Sequence, residues 1–121
     1  MTTSTQLSGV LAEHVAAVNA FDLDAIMATF APHALVNDAR REFRGTDAIR
    51  RWAAKEMVGD RVTIEVTETA ETYGLAILRG RYDGNFDKSA LPDELILTNY
   101  VTLTDGKIGS LIVIRTVPAD Y

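Results

Sequence analysis

The first third of the chain places its apolar residues at helical spacing. Over about residues 5 to 20, one face repeats every three or four positions and consists of Leu7, Val10, Leu11, His14, Val15 and Val18. Asp22 is a plausible N-cap, because aspartate often caps helices. We therefore expect a short second helix after it, with Leu23, Ile26, Met27 and Phe30 on its apolar side. Because Pro32 cannot continue a helix, we expect this one to end near Phe30.

The stretch HALVNDARREFRG, residues 33 to 45, interrupts the helical period. It predicts a short strand, a turn near residues 37 to 39, and a second short strand that reaches Arg44. A third helix follows, with Thr46 as its N-cap and Gly59 at its end. Its buried stripe is predicted to be Ile49, Trp52, Ala53 and Met57.

From Arg61 onward the period changes to two, which indicates strands. Val62, Ile64 and Val66 alternate with polar residues, and Tyr73–Gly74 makes a turn. Strands are predicted over 75 to 83, 94 to 104 and 107 to 117, with a polar loop over 87 to 93 and a hairpin turn at 105 to 106. Helices first and an antiparallel sheet second favour an α+β fold. Four curved strands wrapped over three helices would form a cone with an open mouth, which is a natural small-molecule pocket.

The last two strands are apolar on both faces. In the first of them, Leu95, Leu97, Asn99, Val101 and Leu103 alternate with Ile96, Thr98, Tyr100 and Thr102. In the second, Ile108, Ile112 and Ile114 share one side, and Leu111, Val113 and Arg115 share the other. One face would line the cavity and the other suits a partner sheet. The pattern therefore predicts a homodimer through the convex face.

Composition narrows the function classes. The 121 residues fit one domain, 1–121, with 47% apolar and 24% charged residues. There is no cysteine, which fits a cytoplasmic location and excludes a thiol nucleophile. No apolar run approaches a membrane span, and the N-terminus does not read as a signal peptide. The net charge of -5 argues against nucleic acid as a partner. The two histidines, His14 and His33, lack metal-ligand spacing, and no cofactor motif is present, so we expect neither a metal nor a cofactor.

The segment HVAAVNAFDLDAIMATFAPHALVND, followed by FRGTDAIRRW, resembles the opening of the NTF2-like superfamily in its SnoaL-like and ketosteroid-isomerase-like branch. The matching residues are Asn19, Asp22, Leu23, Asp24, Phe30, Ala31, Asp38 and Gly45. The resemblance implies an NTF2-like cone, with three N-terminal helices packed in a curved, mainly antiparallel sheet around a pocket. It also implies a homodimer. This fold hosts isomerases, dehydratases, cyclases, hydrolases and binding domains, so it does not by itself assign a function.

The steroid isomerases of that branch suggest three catalytic positions. They use an aspartate at the end of the first strand as general base, with a tyrosine and a protonated aspartate as an oxyanion hole. By resemblance, these positions fall on Asp38, His14 and Asn99. Two of the three depart from the isomerase pattern, which argues against steroid isomerisation itself. We expect Asp38 to act as general acid/base, and His14 and Asn99 to hold and polarise an oxygen of a small apolar substrate.

Each assignment has a plain structural alternative. Asp38 is also a common turn residue, His14 lies on an apolar stripe typical of a core, and Asn99 could bond a neighbouring backbone group. The predicted ligand-binding residues are Trp52, Phe30, Met27, Tyr82, Phe86, Leu97, Val101, Val113 and Arg115. For most of them the alternative is that they only pack in the core. For Arg115 the alternative is that its side chain extends into solvent at the end of the strand.

Three functions therefore remain open from the sequence. The first is a cofactor-independent isomerase, cyclase or dehydratase. The second is a binding domain with the same cavity and no chemistry, and the third is a dimerisation module with a filled core. The glycines on either side of Tyr82, at positions 80 and 84, either leave room for a ligand or mark a bulge.

Overall fold

The computed structural model of the protein describes residues 2–4 and 9–115. The helices are α1 (Gly9–Asn19), α2 (Leu23–Met27) and α3 (Gly45–Trp52), and α3 continues into a π-helical segment, Ala53–Val58. The strands are β1 (Thr2–Ser4), β2 (Phe30–Asp38), β3 (Arg41–Arg44), β4 (Thr63–Thr72), β5 (Leu75–Asp83), β6 (Leu95–Thr104) and β7 (Lys107–Arg115).

The described strands form one curled sheet in the order β1-β4-β5-β6-β7-β2-β3. All neighbours are antiparallel except β2 and β7, which run parallel. The α+β cone is thereby confirmed. The predicted number of four strands was too low, because β2 and β3 join the edge of β7 and β1 pairs with β4.

The second helix begins as its sequence indicates but ends earlier than predicted, and the first buries its predicted apolar face. In α1, Leu11, His14, Val15 and Val18 are buried, whereas the predicted start at 5 to 8, with Leu7, lies outside the described residues. Asp22 Oδ1 accepts a hydrogen bond from Ala25 N at 3.1 Å, so it is the N-cap of α2.

The prediction that α2 reaches Phe30 was wrong. The helix ends at Met27, and Phe30 already belongs to β2, where it pairs with Ile108 of β7. Pro32 lies where the register between β2 and β7 shifts, and an irregularity of this kind is where a strand tolerates a proline. The pairing with β7 is a long-range contact that helical spacing does not reveal.

The third helix buries its predicted stripe but is capped differently. Ile49, Trp52, Ala53 and Met57 are all buried. Thr46 is not the N-cap, since the helix starts at Gly45 after Arg44, and the Thr46 hydroxyl donates to the Pro32 carbonyl at 3.3 Å. Gly59 follows the π-helical segment with a helical φ of -60°.

The turns of the sheet follow the residues that favour them, with one displacement. Tyr73, Gly74, Asp105 and Gly106 all have positive φ, as tight hairpin turns require. The turn between β2 and β3 uses Ala39 and Arg40, with φ of 54° and 67°, instead of centring on Asp38. Asp38 is therefore the last residue of its strand.

The last strand departs from simple alternation near its start. The pairing of β6 and β7 shifts after Thr102, and Ile108 is fully buried in the core on the inner side. The prediction that Ile108 shares the outer face with Ile112 and Ile114 was wrong, because a bulge reverses the side on which residues before it point. Residues 116 and 117 of the predicted strand lie outside the described part of the chain.

Candidate functional site

A cavity of about 180 Å³ lies between the inner face of the sheet and the helices. Its lining comprises His14, Asp38, Trp52, Glu56, Met57, Asp60, Val62, Tyr82, Phe86, Leu91, Leu95, Leu97, Asn99, Leu111 and Val113. The three predicted catalytic residues, Asp38, His14 and Asn99, thus share one cavity. The filled core that a pure dimerisation module would have is therefore not observed, since this cavity is open.

Five of the nine predicted ligand-binding residues line this cavity, namely Trp52, Tyr82, Phe86, Leu97 and Val113. The other four do not line it. Phe30 packs edge-on against the His14 ring at 5.6 Å, and Val101 is completely buried in the core. Met27 is partly buried against that core. Arg115 is exposed at the end of β7, which is the usual position of an arginine.

The sheet register sets the spacing of the two polar residues on its inner face. Val113 pairs with Asp38 on one side and with Asn99 on the other. Paired residues of neighbouring strands point to the same face, so these three side chains form one row. Asp38 and Asn99 are therefore two strands apart, about 10 Å between their Cα atoms.

One carboxylate oxygen of Asp38 is anchored and the other is not. Trp52 Nε1 and Arg41 Nη2 both donate to Oδ2, each at 3.1 Å. The Arg41 guanidinium also donates two hydrogen bonds to Glu56, at 2.8 and 2.7 Å. No described residue donates to Oδ1 of Asp38. The side chain is 25% exposed, so Oδ1 is accessible from the cavity while its orientation is held by the bonds to Oδ2.

His14 is a buried neutral imidazole whose tautomer follows from its neighbours. Thr29 donates its only hydroxyl proton to the Ile26 carbonyl at 2.6 Å. The Thr29 oxygen, 3.1 Å from His14 Nδ1, must then accept, so Nδ1 carries the proton. Burial lowers the pKa of His14 to about 4, which keeps the ring neutral at pH 7. Its Nε2 is therefore a lone-pair acceptor.

Asn99 donates its amide protons to neighbouring protein groups. Its Nδ2 donates to the Leu78 carbonyl at 3.3 Å and to the Tyr82 hydroxyl at 2.8 Å. The expectation that Asn99 polarises a ligand oxygen with its amide group is therefore not supported by the geometry. The Tyr82 hydroxyl accepts from Asn99, and no described residue accepts its proton. Burial raises the pKa of Tyr82, with a further increase from the Asp38 charge, so the hydroxyl stays protonated.

The two glycines flanking Tyr82 serve the backbone. A Cβ at Gly80 would lie 2.8 Å from the Glu65 carbonyl oxygen, next to the register shift between Val66 and Glu68 of β4. A Cβ at Gly84 would lie 2.8 Å from the Asp60 carbonyl oxygen. Close backbone approach explains both, so neither glycine opens space for a ligand.

Comparison with known proteins places this architecture in a family. The SnoaL-like domain model matches residues 11–110. The chain belongs to the SnoaL-like family. Among solved structures, a candidate polyketide cyclase of Sinorhizobium meliloti is 30% identical, with a TM-score of 0.77 over 89% of this chain and 95% of that chain. A ketosteroid-isomerase-like protein of Catenulispora acidiphila, in complex with trimethylamine, is 16% identical, with a TM-score of 0.77 over 96% and 98% of the two chains.

A third similar structure is an epoxide hydrolase/cyclase-like enzyme of pyran ring formation in the polyether salinomycin. It is 24% identical, with a TM-score of 0.76 over 89% of this chain and 88% of that chain. At this identity the likeness shows the shared fold. A comparison with curated proteins finds no match.

The cavity of this SnoaL-like domain carries an excess of acidic groups. Asp38, Glu56 and Asp60 line it, and its lining includes no lysine or arginine. Arg41 offsets part of this charge through its bonds to Asp38 and Glu56. An anionic ligand would meet net repulsion here, so the cavity suits a neutral or a cationic molecule.

The predicted ligand-binding residues did not include seven residues that line the SnoaL-like cavity, namely Glu56, Met57, Asp60, Val62, Leu91, Leu95 and Leu111. Of these, alternation along the last strand predicted only Leu111 to lie on the cavity face, together with Val113. Glu56 and Met57 belong to the π-helical segment, and such segments are frequent at functional sites. The stripe at helical spacing identified Met57 as buried but gave no signal for Glu56. Within residues 2–4 and 9–115, the structure contains no cluster of potential metal ligands and no helix that is long and apolar enough to cross a membrane.

Proposed function

We propose that this SnoaL-like domain is a cofactor-independent enzyme that moves a proton beside a carbonyl of a small, neutral, mostly apolar molecule. The reaction class is isomerisation, cyclisation or dehydration. The observation that supports it best is the asymmetry of Asp38. Its Oδ2 is held by Trp52 and Arg41, while Oδ1 stands without a partner among the described residues at the wall of the cavity.

The residues around the cavity supply the two functions that such a step needs. Oδ1 of Asp38 takes a proton from the carbon next to the carbonyl, and the electron pair moves into an enolate whose oxygen accepts a hydrogen bond from the Tyr82 hydroxyl. The same proton then returns to another atom of the molecule, so the step is redox-neutral. The Asp38 charge acts on the Tyr82 pKa, which supports a common approach of both groups to one ligand.

The cavity volume indicates the size of the group that the cavity itself holds. An engineered protein cavity of about 150 Å³ holds benzene, so a volume of about 180 Å³ suits a single ring with a few substituents. The Sinorhizobium meliloti relative, 30% identical, is named as a candidate polyketide cyclase. Cyclisation by carbon–carbon bond formation starts with proton removal beside a carbonyl, so this relative supports the same chemistry.

The proposed proton transfer is testable without knowledge of the natural substrate. Acetophenone and its hydroxy derivatives carry exchangeable methyl protons next to a carbonyl and are of suitable size. We expect the protein to accelerate their deuterium exchange in D₂O, followed by proton NMR. Asp38→Asn keeps an oxygen for Trp52 and Arg41 but removes the base. It should lower the protein-catalysed rate by about 10² to 10⁴ and leave probe affinity within a few-fold.

The outcome distinguishes the enzyme from a binding domain with the same cavity. Equal exchange rates in wild type and Asp38→Asn, with probe binding retained, would remove Asp38 from any mechanism and favour a non-catalytic ligand-binding domain. A Glu13→Gln variant, at a position on α1 outside the cavity lining, serves as a charge-matched control.

We also propose a homodimer through the outer face of the sheet. Tyr100 pairs with Ile77 on one side and with Ile112 on the other, and Ile114 lies two residues further along β7 on the same face. Tyr100 is 41% exposed and Ile114 is 50% exposed, so apolar side chains form a connected surface. Sedimentation velocity should show a dimer that Tyr100→Lys and Ile114→Lys convert to a monomer. A wild-type monomer at high micromolar concentration would contradict this proposal.

A further inference from the structure

The His14 side of the cavity calls for a hydrogen-bond donor. Because Nδ1 donates to Thr29, the neutral ring can only accept at Nε2. No described residue donates to Nε2. His14 is 2% exposed and lines the cavity. Although Nε2 has no partner among the described residues, the surrounding protein does not enclose it completely. The lone pair is therefore reachable from the cavity, where a ligand hydroxyl would satisfy it.

On the Tyr82 side of the cavity, a ligand needs a hydrogen-bond acceptor. Its oxygen accepts from Asn99 Nδ2 at 2.8 Å, which directs the hydroxyl proton elsewhere. No described residue accepts that proton, and Tyr82 lines the cavity. A ligand carbonyl is the simplest neutral acceptor for it. Asn99 is then a positioning residue, since it acts on the ligand through Tyr82.

We propose that the cavity selects a small, neutral hydroxy ketone, whose hydroxyl donates to His14 Nε2 and whose carbonyl accepts from the Tyr82 hydroxyl. This inference rests on the proposed function, because it names the substrate class of the same site. The opposed hydrogen-bond polarity of the two side chains also fixes the orientation of the ligand. An inverted ligand would place a carbonyl against a lone pair at His14, which is repulsive.

The selection is measurable with three kinds of probe on the wild-type protein. The first is hydroxyacetophenone, as its 2-, 3- and 4-hydroxy isomers, so that one of them matches the separation of the two side chains. The second kind is the corresponding methoxyacetophenone, which lacks the donor. The third is the corresponding ethylphenol, which lacks the carbonyl. By calorimetry or NMR titration we expect the best hydroxyacetophenone isomer to bind about tenfold or more tightly than both of its analogues.

Single substitutions assign each preference to its residue. Tyr82→Phe keeps the ring and should abolish the preference for hydroxyacetophenone over ethylphenol. His14→Phe keeps a ring against Phe30 and should abolish the preference over methoxyacetophenone. Tyr73→Phe is the matched control for Tyr82→Phe, because it removes a tyrosine hydroxyl from a fully exposed turn outside the cavity. It should leave both preferences intact.

The results separate this inference from the proposed function. If no hydroxyacetophenone isomer binds measurably, or if all probes bind equally, the inference is overturned. It is also overturned if the preferences persist in Tyr82→Phe and His14→Phe. Deuterium exchange that depends on Asp38 without any selection among the probes would leave the proposed function standing and remove only the substrate class. Failure of the variants to fold would leave the wild-type probe series as the deciding test.

Discussion

The two faces of strands β6 and β7 place their side chains in different environments, one buried and one partly exposed. On the inner face, Asn99 is 3% exposed and its amide protons are bound to Leu78 and Tyr82. On the outer face, the neighbouring Tyr100 is 41% exposed and makes no side-chain hydrogen bond within the described residues. Adjacent positions of one strand thus have opposite environments.

The difference shows how the cone makes a specific site. Burial on the inner face forces each polar group to find a partner, because an unpaired buried group costs free energy. Among the residues that line the cavity, Asp38 Oδ1, His14 Nε2 and the Tyr82 hydroxyl proton have no partner among the described residues. Thr69 Oγ1, on the same face outside the cavity, is buried without a partner. On the outer face, Tyr100 and Ile114 are exposed, while the buried Thr98 accepts a hydrogen bond from Arg79.

The largest expected contrast is between apolar truncations on the two faces of β7. Leu111 is 2% exposed and lines the cavity, whereas Ile114 is 50% exposed. Leu111→Ala should lower the free energy of unfolding by about 2–5 kcal/mol, because it removes buried methyl groups and leaves a void. Ile114→Ala should cost less than about 1 kcal/mol in the monomer. Urea unfolding of both variants in a Tyr100→Lys background, which removes the proposed dimer interface, measures both costs, and equal costs would contradict the assigned faces.

A second contrast concerns pH, because the buried His14 resists protonation. Burial lowers the pKa of His14 in the folded protein to about 4, below its usual value of 6.5. Between pH 6.5 and about 4, His14 is protonated in the unfolded chain but neutral in the folded protein. The free energy of unfolding therefore falls as the pH drops through this range. Above 6.5 His14 adds no pH dependence. At 1.36 kcal/mol per pH unit, the loss is about 3 kcal/mol across this window.

Denaturant titrations at several pH values check this window. The carboxylates also titrate there, so the comparison is with His14→Gln, which does not titrate and retains a donor for Thr29. We expect wild type to lose about 3 kcal/mol more than the variant between pH 6.5 and 4. Parallel curves for the two proteins would show that His14 titrates normally in the folded state.

The smallest expected effect concerns the anchoring of Asp38. Trp52→Phe removes the indole N–H that donates to Oδ2 but keeps an aromatic ring near Phe43, whose ring centroid lies 6.0 Å from that of Trp52. Arg41 still holds the carboxylate, so we expect only about a tenfold loss in the exchange rate. Tyr73→Phe, in an exposed turn outside the cavity, should leave the rate unchanged. A rate for Trp52→Phe equal to wild type would show that the anchor does not matter.

The sequence predicted best where local chemistry decides. The Asp105–Gly106 turn, the cap of α2 by Asp22 and the strand over 75 to 83 are all present as predicted. Each depends on the properties of a few consecutive residues. Predictions failed where a distant partner decides, as at Phe30, which pairs with β7, and at Ile108, which a bulge turns inward.

By itself, the sequence determined the order of helices and strands, the α+β cone and the three polar residues that share its cavity. Those follow from periodicity, turn residues and the resemblance of the first half to the SnoaL-like branch. Only the tertiary structure decided which atoms face the ligand. The roles of Asn99 and Tyr82 depend on a hydrogen bond between β5 and β6, and the tautomer of His14 depends on Thr29, which is 15 residues away. Hydrogen-bond direction is set by neighbours in space, and sequence spacing does not contain it.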